Sequence, residues 1–98
     1  MPTQEAFEKA TGLMSSSEAT FTNDEKLVFY GLFKQATTGD CTESQPLYIN
    51  QPAYRKHKAW VEYKGKSSDE AMTEYVKKVA SLDNETGKQC QELLELLD

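Results

Sequence analysis

Residues 54–66 concentrate the side chains that could bind a charged ligand. The stretch reads Tyr-Arg-Lys-His-Lys-Ala-Trp-Val-Glu-Tyr-Lys-Gly-Lys. Arg55, Lys56, Lys58, Lys64 and Lys66 face a single acid, Glu62, so the segment carries +4; with a total of −5, the remaining chain carries −9. A basic cluster inside an acidic chain points to a local anion site rather than to a surface for a long polyanion. Phe29, Tyr30, Phe33, Tyr48, Tyr54, Trp60 and Tyr63 place seven of the ten aromatic residues in and just before this region. Cations beside aromatic faces suit a ligand with both phosphates and a planar base. The plainer reading is a solvated basic face laid over core aromatics.

Other chemistry is poorly supplied. Cys41 and Cys90 are too few for a disulfide framework. One histidine and two distant cysteines make no zinc site, so neither metal nor cofactor is expected. A thioesterase using Cys41 with His57 would need a base in hydrogen-bond reach and an oxyanion site, and nothing in the pattern indicates either. No catalytic residues are assigned, and an enzyme is not expected. The acidic balance, with a pI near 4.9, argues against a nucleic-acid binder.

These residues must be positioned by helices. The 98 residues and 11.1 kDa suffice for one domain, 1–98. With mean hydropathy −0.70, no apolar run approaches the ~20 residues of a membrane span. The first residues lack a basic then apolar leader pattern. A cytoplasmic protein without an integral membrane segment is therefore the expectation, with both thiols free, and with no separate apolar stripe evident a monomer is expected.

Residues 3–16 show Phe7, Ala10, Thr11 and Met14 at i, i+3, i+4, i+7, a helical stripe that Ser15-Ser16-Ser17 ends. Thr22 and Glu25 fit a capping box, with Phe21 as the preceding staple residue, and the helix is predicted to reach about Thr37 before Gly39-Asp40. Residues 38–51 are a polar connection longer than a usual helix–helix loop. Pro52 suits the first turn of a third helix running to about Tyr63. Ser67 and Glu70 form a second capping box. The fourth helix carries Ala71, Met72, Tyr75, Val76, Val79 and Leu82 on one side. Residues 84–87 weaken that helix. The leucine-rich end (Leu93, Leu94, Leu96, Leu97) either continues it or follows as a short helix after Gly87. That end packs on its own domain, meets a partner, or frays. With no strand alternation or hairpin signal, the fold class is all-α, four helices with a helical extension at 84–98 and a core of about 3–83.

The stretch Leu27-Val-Phe-Tyr-Gly-Leu-Phe-Lys-Gln-Ala-Thr-Thr-Gly-Asp40 resembles the signature of the acyl-CoA-binding protein family, an aliphatic-aromatic-Tyr-x-x-Tyr-Lys-Gln-Ala-Thr-x-Gly-Asp run. Pro46, Lys56 with Ala59-Trp60, Lys64-Gly65-x-Ser67, and Ala71-Met72-x-x-Tyr75-Val76-x-x-Val79 extend the likeness without a gap from about Phe7 to Leu82. The resemblance implies an up-down-down-up four-helix bundle. It also implies a carrier and pool former that binds medium- to long-chain acyl-CoA thioesters one-to-one, with acyl-CoA-using enzymes as recipients. On this likeness Lys34, Tyr30 and Lys56 hold the ribose 3′-phosphate, Phe33 takes the adenine-stacking position, Tyr75 lines the site, and Leu27 belongs to the acyl groove.

Thr11, Ser15, Arg55 and His57 are secondary candidates. Phe33 stands where the family has tyrosine, and His57 where it has tryptophan. Ser15, Pro52 and Tyr54 stand where it often has lysine near the ligand, a loss that Arg55 compensates from a neighbouring position. Lys26 occupies a groove-rim position usually apolar, and Ser17 one usually aliphatic. A helical interaction module with weak or vestigial ligand binding is the competing reading.

Overall fold

The computed structural model describes residues 2–16, 21–42, 44–47 and 49–96. Ser17, Tyr48 and Leu97, which figure in the sequence expectations, lie outside them. Five α-helices are described: α1 (Pro2–Ser16), α2 (Asn23–Thr37), α3 (Gln51–Val61), α4 (Ser68–Ala80) and α5 (Glu85–Gln91). A 3₁₀ segment, Glu92–Leu96, follows α5. No strand occurs among the described residues. The chain divides into two compact units, one of Phe21–Ala71 and one of Met1–Thr20 with Met72–Asp98.

In the Phe21–Ala71 unit, both bonds of the first capping box form. The Glu25 amide donates to Thr22 Oγ1 at 3.1 Å, and the Thr22 amide to the Glu25 carboxylate at 2.9 Å. Two of the amides that a helix start leaves without intrahelical partners are thereby satisfied. A staple would pair Phe21 with the fourth helical residue. That residue is Lys26, exposed, and Phe21 instead meets Phe29 edge-on at 6.0 Å. The reason is chemical: an aromatic ring one turn further on buries apolar area that an ammonium stem does not.

Helices α2 and α3 pack against each other. They run in the same direction, because Lys56 Nζ lies over the Tyr30 ring and, four residues on in each helix, Lys34 Nζ lies over the Trp60 ring. Gly31 sits between these rungs. A Cβ there would come within 2.6 Å of the Ala59 carbonyl oxygen and 2.7 Å of the Tyr63 ring. Glycine therefore permits the close approach of the two helices.

The loops at the C-terminal ends of α2 and α3 are tied together. The buried Gln35 donates from Nε2 to Asp40 Oδ1 and to the Lys66 carbonyl, both at 2.8 Å. The Gly65 amide donates to the same Asp40 oxygen at 2.8 Å, and Trp60 Nε1 donates to the Gly39 carbonyl at 2.8 Å. Gly39 and Gly65 both hold positive φ (93° and 91°), the region glycine enters without steric cost. Helix α3 begins at Gln51 with Pro52 in its first turn, and ends at Val61, two residues before the predicted Tyr63. Residues 62–65 turn instead, as the Tyr63 and Lys64 amides bond three residues back, to the Trp60 and Val61 carbonyls, and the Gly65 amide reaches Asp40.

In the other unit, the stripe of α1 runs Thr3, Ala6, Phe7 and Ala10 fully buried, then Thr11 and Met14 half-buried. The period is as predicted, with the stripe extended one turn toward the N-terminus. From α4, Tyr75, Val76, Val79 and Ala80 are buried, and Phe7 meets Tyr75 edge-on at 5.1 Å. The second capping box, at the end of the Phe21–Ala71 unit, closes with the Glu70 amide 3.1 Å from Ser67 Oγ.

The helical end does not continue α4, nor does it begin after Gly87. Asn84 caps α5, its Oδ1 accepting from the Gly87 amide at 2.9 Å, so Gly87 is the third residue inside α5. Any side chain at Gly87 would collide with the Leu82 carbonyl oxygen. Glycine here marks close backbone packing rather than punctuation. Helix α5 and the 3₁₀ segment pack on α1, and the end thus packs within its own unit. Among the described residues no helix is long and apolar enough to cross a membrane.

Candidate functional site

The 3.6-residue repeat sets Asn23, Lys26, Leu27 and Tyr30 on one face of α2. With Gln51, Pro52, Arg55 and Lys56 of α3 they line a cleft of ≈ 380 Å³. Four sequence candidates therefore meet there: Leu27, Tyr30, Arg55 and Lys56. Three cations border the cleft, and no carboxylate lines it among the described residues. Its apolar lining comes from Leu27, the Tyr30 ring and Pro52, beside the basic residues.

Lys56 Nζ lies 5.6 Å from the Tyr30 ring centroid. Lys34 Nζ lies 4.8 Å from the Trp60 ring centroid, one helical turn further along the α2–α3 seam and outside the cleft. The two ammonium groups are thus each seated on an aromatic face, a contact worth about 0.5–1 kcal/mol at exposed sites. The axial step between the rungs is about 6 Å, four residues at 1.5 Å each. Phe33, on the same side of α2, is 40% exposed, so a large part of its surface remains open to water. His57 is half-buried on α3.

Trp60, which the sequence offers only as an aromatic and a motif residue, holds two functions. Its ring supports Lys34, and its indole N–H fixes Gly39. For Gly31 the only sequence signal is an isolated glycine in a helical pattern. Gln35 and Asp40 brace the seam from below. Asp40 has its carboxyl held below its ordinary value of 3.8, first by the Gly65 amide, then by Gln35, with Lys64 adding attraction. Gln35 Oε1 is buried without a hydrogen-bond partner.

A second cleft of ≈ 330 Å³ adjoins the first, since Leu27 and Arg55 line both. Its rim carries both signs of charge, from Asp24, Glu62 and Lys58.

The remaining candidates lie in the other unit. Thr11 donates from its hydroxyl to the Glu8 carbonyl at 2.8 Å, and Ser15 is exposed. Tyr75 is buried, and desolvation together with the nearby Cys90 pushes its phenol up to about 12. Cys41 is half-buried, and Cys90 is buried with Sγ 3.5 Å from the Val76 carbonyl oxygen. No cluster of three or more His, Cys, Asp or Glu that could hold a metal occurs among the described residues.

Comparison with known proteins meets this geometry. The family model described as acyl-CoA-binding protein matches residues 4–79. Acyl-CoA-binding domain-containing protein 3 of Oryza sativa subsp. japonica is 40% identical over 85 residues, covering 87% of this chain; the chain spans only 55% of that protein's length. Acyl-CoA-binding domain-containing protein 2 of the same organism is 40% identical over 82 residues, with 84% of this chain and 90% of the relative covered. Among solved structures, the acyl-CoA-binding protein of Moniliophthora perniciosa superposes with a TM-score of 0.82 at 32% identity, covering 94% of each chain. The fold is thus the all-α, four-helix one of these proteins, with α5 and the 3₁₀ segment as its helical extension, and the chain belongs to the acyl-CoA-binding protein family.

Proposed function

We propose that this protein binds medium- to long-chain fatty acyl-CoA thioesters one-to-one and carries them as a cytoplasmic monomer, holding a pool for acyl-CoA-using enzymes. The observation that supports this most is the pair of cations on consecutive rungs of the α2–α3 seam, Lys56 over Tyr30 and Lys34 over Trp60, beside a cleft with Leu27 in its wall. Lys56 and Lys34 take the ribose 3′-phosphate from either helix, with the Tyr30 hydroxyl as a further donor. Each such charge-assisted bond contributes about 1.5–3 kcal/mol, less where water screens it. Phe33 presents an exposed ring on which adenine stacks. The acyl chain lies along Leu27, and each methylene removed from water contributes about 0.8 kcal/mol, which makes the tail the larger share of affinity. His57, half-buried on α3, is an outer contact. We read the protein as a carrier, because the groups gathered at the seam are suited to bind and orient phosphate and the family to which the chain belongs is described as acyl-CoA-binding.

Calorimetric titration with acyl-CoAs of eight to eighteen carbons tests the reading, with free CoA and free fatty acid as controls. The expected result is tight one-to-one binding that needs both halves of the ligand. Absence of binding at micromolar ligand would overturn it.

A further inference from the structure

The connection between α2 and α3 is polar in composition, yet it holds two large apolar side chains out in water. Leu47 is 76% exposed and Ile49 86%, more than any other large hydrophobic residue among those described. The Asn50 amide donates to the Leu47 carbonyl at 2.9 Å, so both side chains belong to one tight turn. The Tyr54 amide donates to the Asn50 carbonyl, also at 2.9 Å, and joins that turn directly to the first turn of α3. A single exposed hydrophobic residue is ordinary; two on one hydrogen-bonded turn mark a contact surface. The charge beside the turn has one sign. Residues 44–61 contain Arg55, Lys56 and Lys58 and no Asp or Glu, and α3 has no acid in its first turn, where the positive end of its dipole lies. Gln51 and Pro52, just after the turn, line the cleft together with the exposed Lys26, Arg55 and Lys56. Of the acids that begin α2, Asp24 lines the adjoining cleft and Glu25 is held in its capping box.

We propose that the turn of Leu47 and Ile49 inserts into the interfacial layer of an anionic phospholipid bilayer and holds the α2–α3 cleft against the headgroups, where an acyl-CoA passes between bilayer and protein. The passage of ligand rests on the function proposed above; the docking does not. Two aliphatic side chains cover far less than the roughly 1,200 Å² of a stable protein–protein interface. They suffice for a weak, reversible membrane contact when cations lie beside them. Arg55 and Lys56 lie four and five residues beyond Gln51, about 6–8 Å along the helix axis, so they stay within a Debye length of a surface that the turn touches. The cargo is itself an amphiphile that partitions into bilayers. A carrier seated there takes or delivers the acyl chain without exposing all of it to water.

The test is flotation of the full chain, free of ligand, with vesicles of phosphatidylcholine alone and of phosphatidylcholine mixed with phosphatidylserine. The wild-type chain is expected to float with the mixed vesicles and to be released by salt. K26Q should weaken that partitioning about fivefold, the share of one cation near an anionic surface. The L47S/I49S double variant should weaken it about tenfold or more. Its affinity for palmitoyl-CoA in solution, read by titration calorimetry, should stay at the wild-type value. Stopped-flow transfer of a fluorescent palmitoyl-CoA analogue from protein to mixed vesicles should quicken with vesicle concentration in the wild-type chain and not in the variant. A wild-type chain that does not float with the mixed vesicles, or an L47S/I49S variant that floats as well as wild type, would overturn the docking. So would a wild-type dimer in sedimentation velocity that L47S/I49S dissolves, because a second copy would then occupy the turn. If the wild-type chain floats and titration detects no acyl-CoA binding, the carrier function falls and the docking stands.

Discussion

Lys34 and Lys56 are held by different surroundings, and the difference sets what their removal should do. Lys34 is half-buried over the buried Trp60, whereas Lys56 is exposed over Tyr30. Lys34→Ala and Lys56→Ala are each expected to weaken acyl-CoA binding by about 1–3 kcal/mol, with the larger loss at the less screened Lys34. Titration calorimetry reads both, and unchanged affinity in the double variant would refute the phosphate assignment. At Tyr75 the prediction concerns pH. Its phenol is pushed up to about 12 by burial, against 10.0 in the unfolded chain. The folded state therefore holds the proton more tightly. The stability this gives is complete below pH 10 and drains away as pH rises toward 12. Ultraviolet difference titration should show one tyrosine ionising late, and Tyr75→Phe should remove that late step. The two thiols should also separate: burial pushes Cys90 up, and Cys41 is the more accessible. A thiol reagent should modify one cysteine quickly in the native protein and the second only on unfolding, with Cys41→Ser abolishing the fast phase.

Elements carry the next scale. The α2–α3 seam depends on Gly31, where the backbones approach too closely for any side chain. Gly31→Ala is expected to destabilise the fold by about 1–3 kcal/mol, since overpacking must push Ala59 or Tyr63 aside. It should also weaken ligand binding, because the Tyr30–Lys56 and Lys34–Trp60 rungs flank that position; denaturant unfolding and titration together check both effects. The outline of these elements was legible in the sequence because it is written in local chemistry. Capping boxes at Thr22 and Ser67, Pro52 in a first turn and the α1 stripe all depend on neighbours within a turn or so. The misplaced boundaries share a different cause. Helix α3 stops early because Gly65 is drawn to Asp40, twenty-five residues away, and α5 starts before Gly87 because that glycine must clear Leu82. Partners distant in sequence, or backbone contacts, leave no periodic trace.

For the molecule as a whole, Asp40 links acid stability to architecture. Its depressed carboxyl pKa means that folding favours the ionised form. The stability this contributes is present above the ordinary value of 3.8 and is lost as pH falls through the lower folded-state value. Asp40→Asn should lower the melting temperature at neutral pH and flatten its fall in acid, as thermal scans across pH would show. We propose that the 98 residues unfold as one domain, in a single transition that shifts upward with acyl-CoA. At a hundredfold excess of free ligand over Kd the gain is about 2.7 kcal/mol.

By itself the sequence determined the all-α class, the helix starts, the buried stripes and the family likeness, because periodicity, capping and motif spacing are properties of the chain as written. It also supplied the residue types for phosphate and base. Tertiary structure alone decided that Lys34 rests on Trp60, that Lys56 rests on Tyr30, that Gly31 lets the helices close, and that Lys26 and Arg55 line one cleft. The two cation–ring rungs and the Gly31 contact arise from packing two helices in one register. No local rule encodes that register, since it is the sum of many weak contacts between residues far apart in the chain.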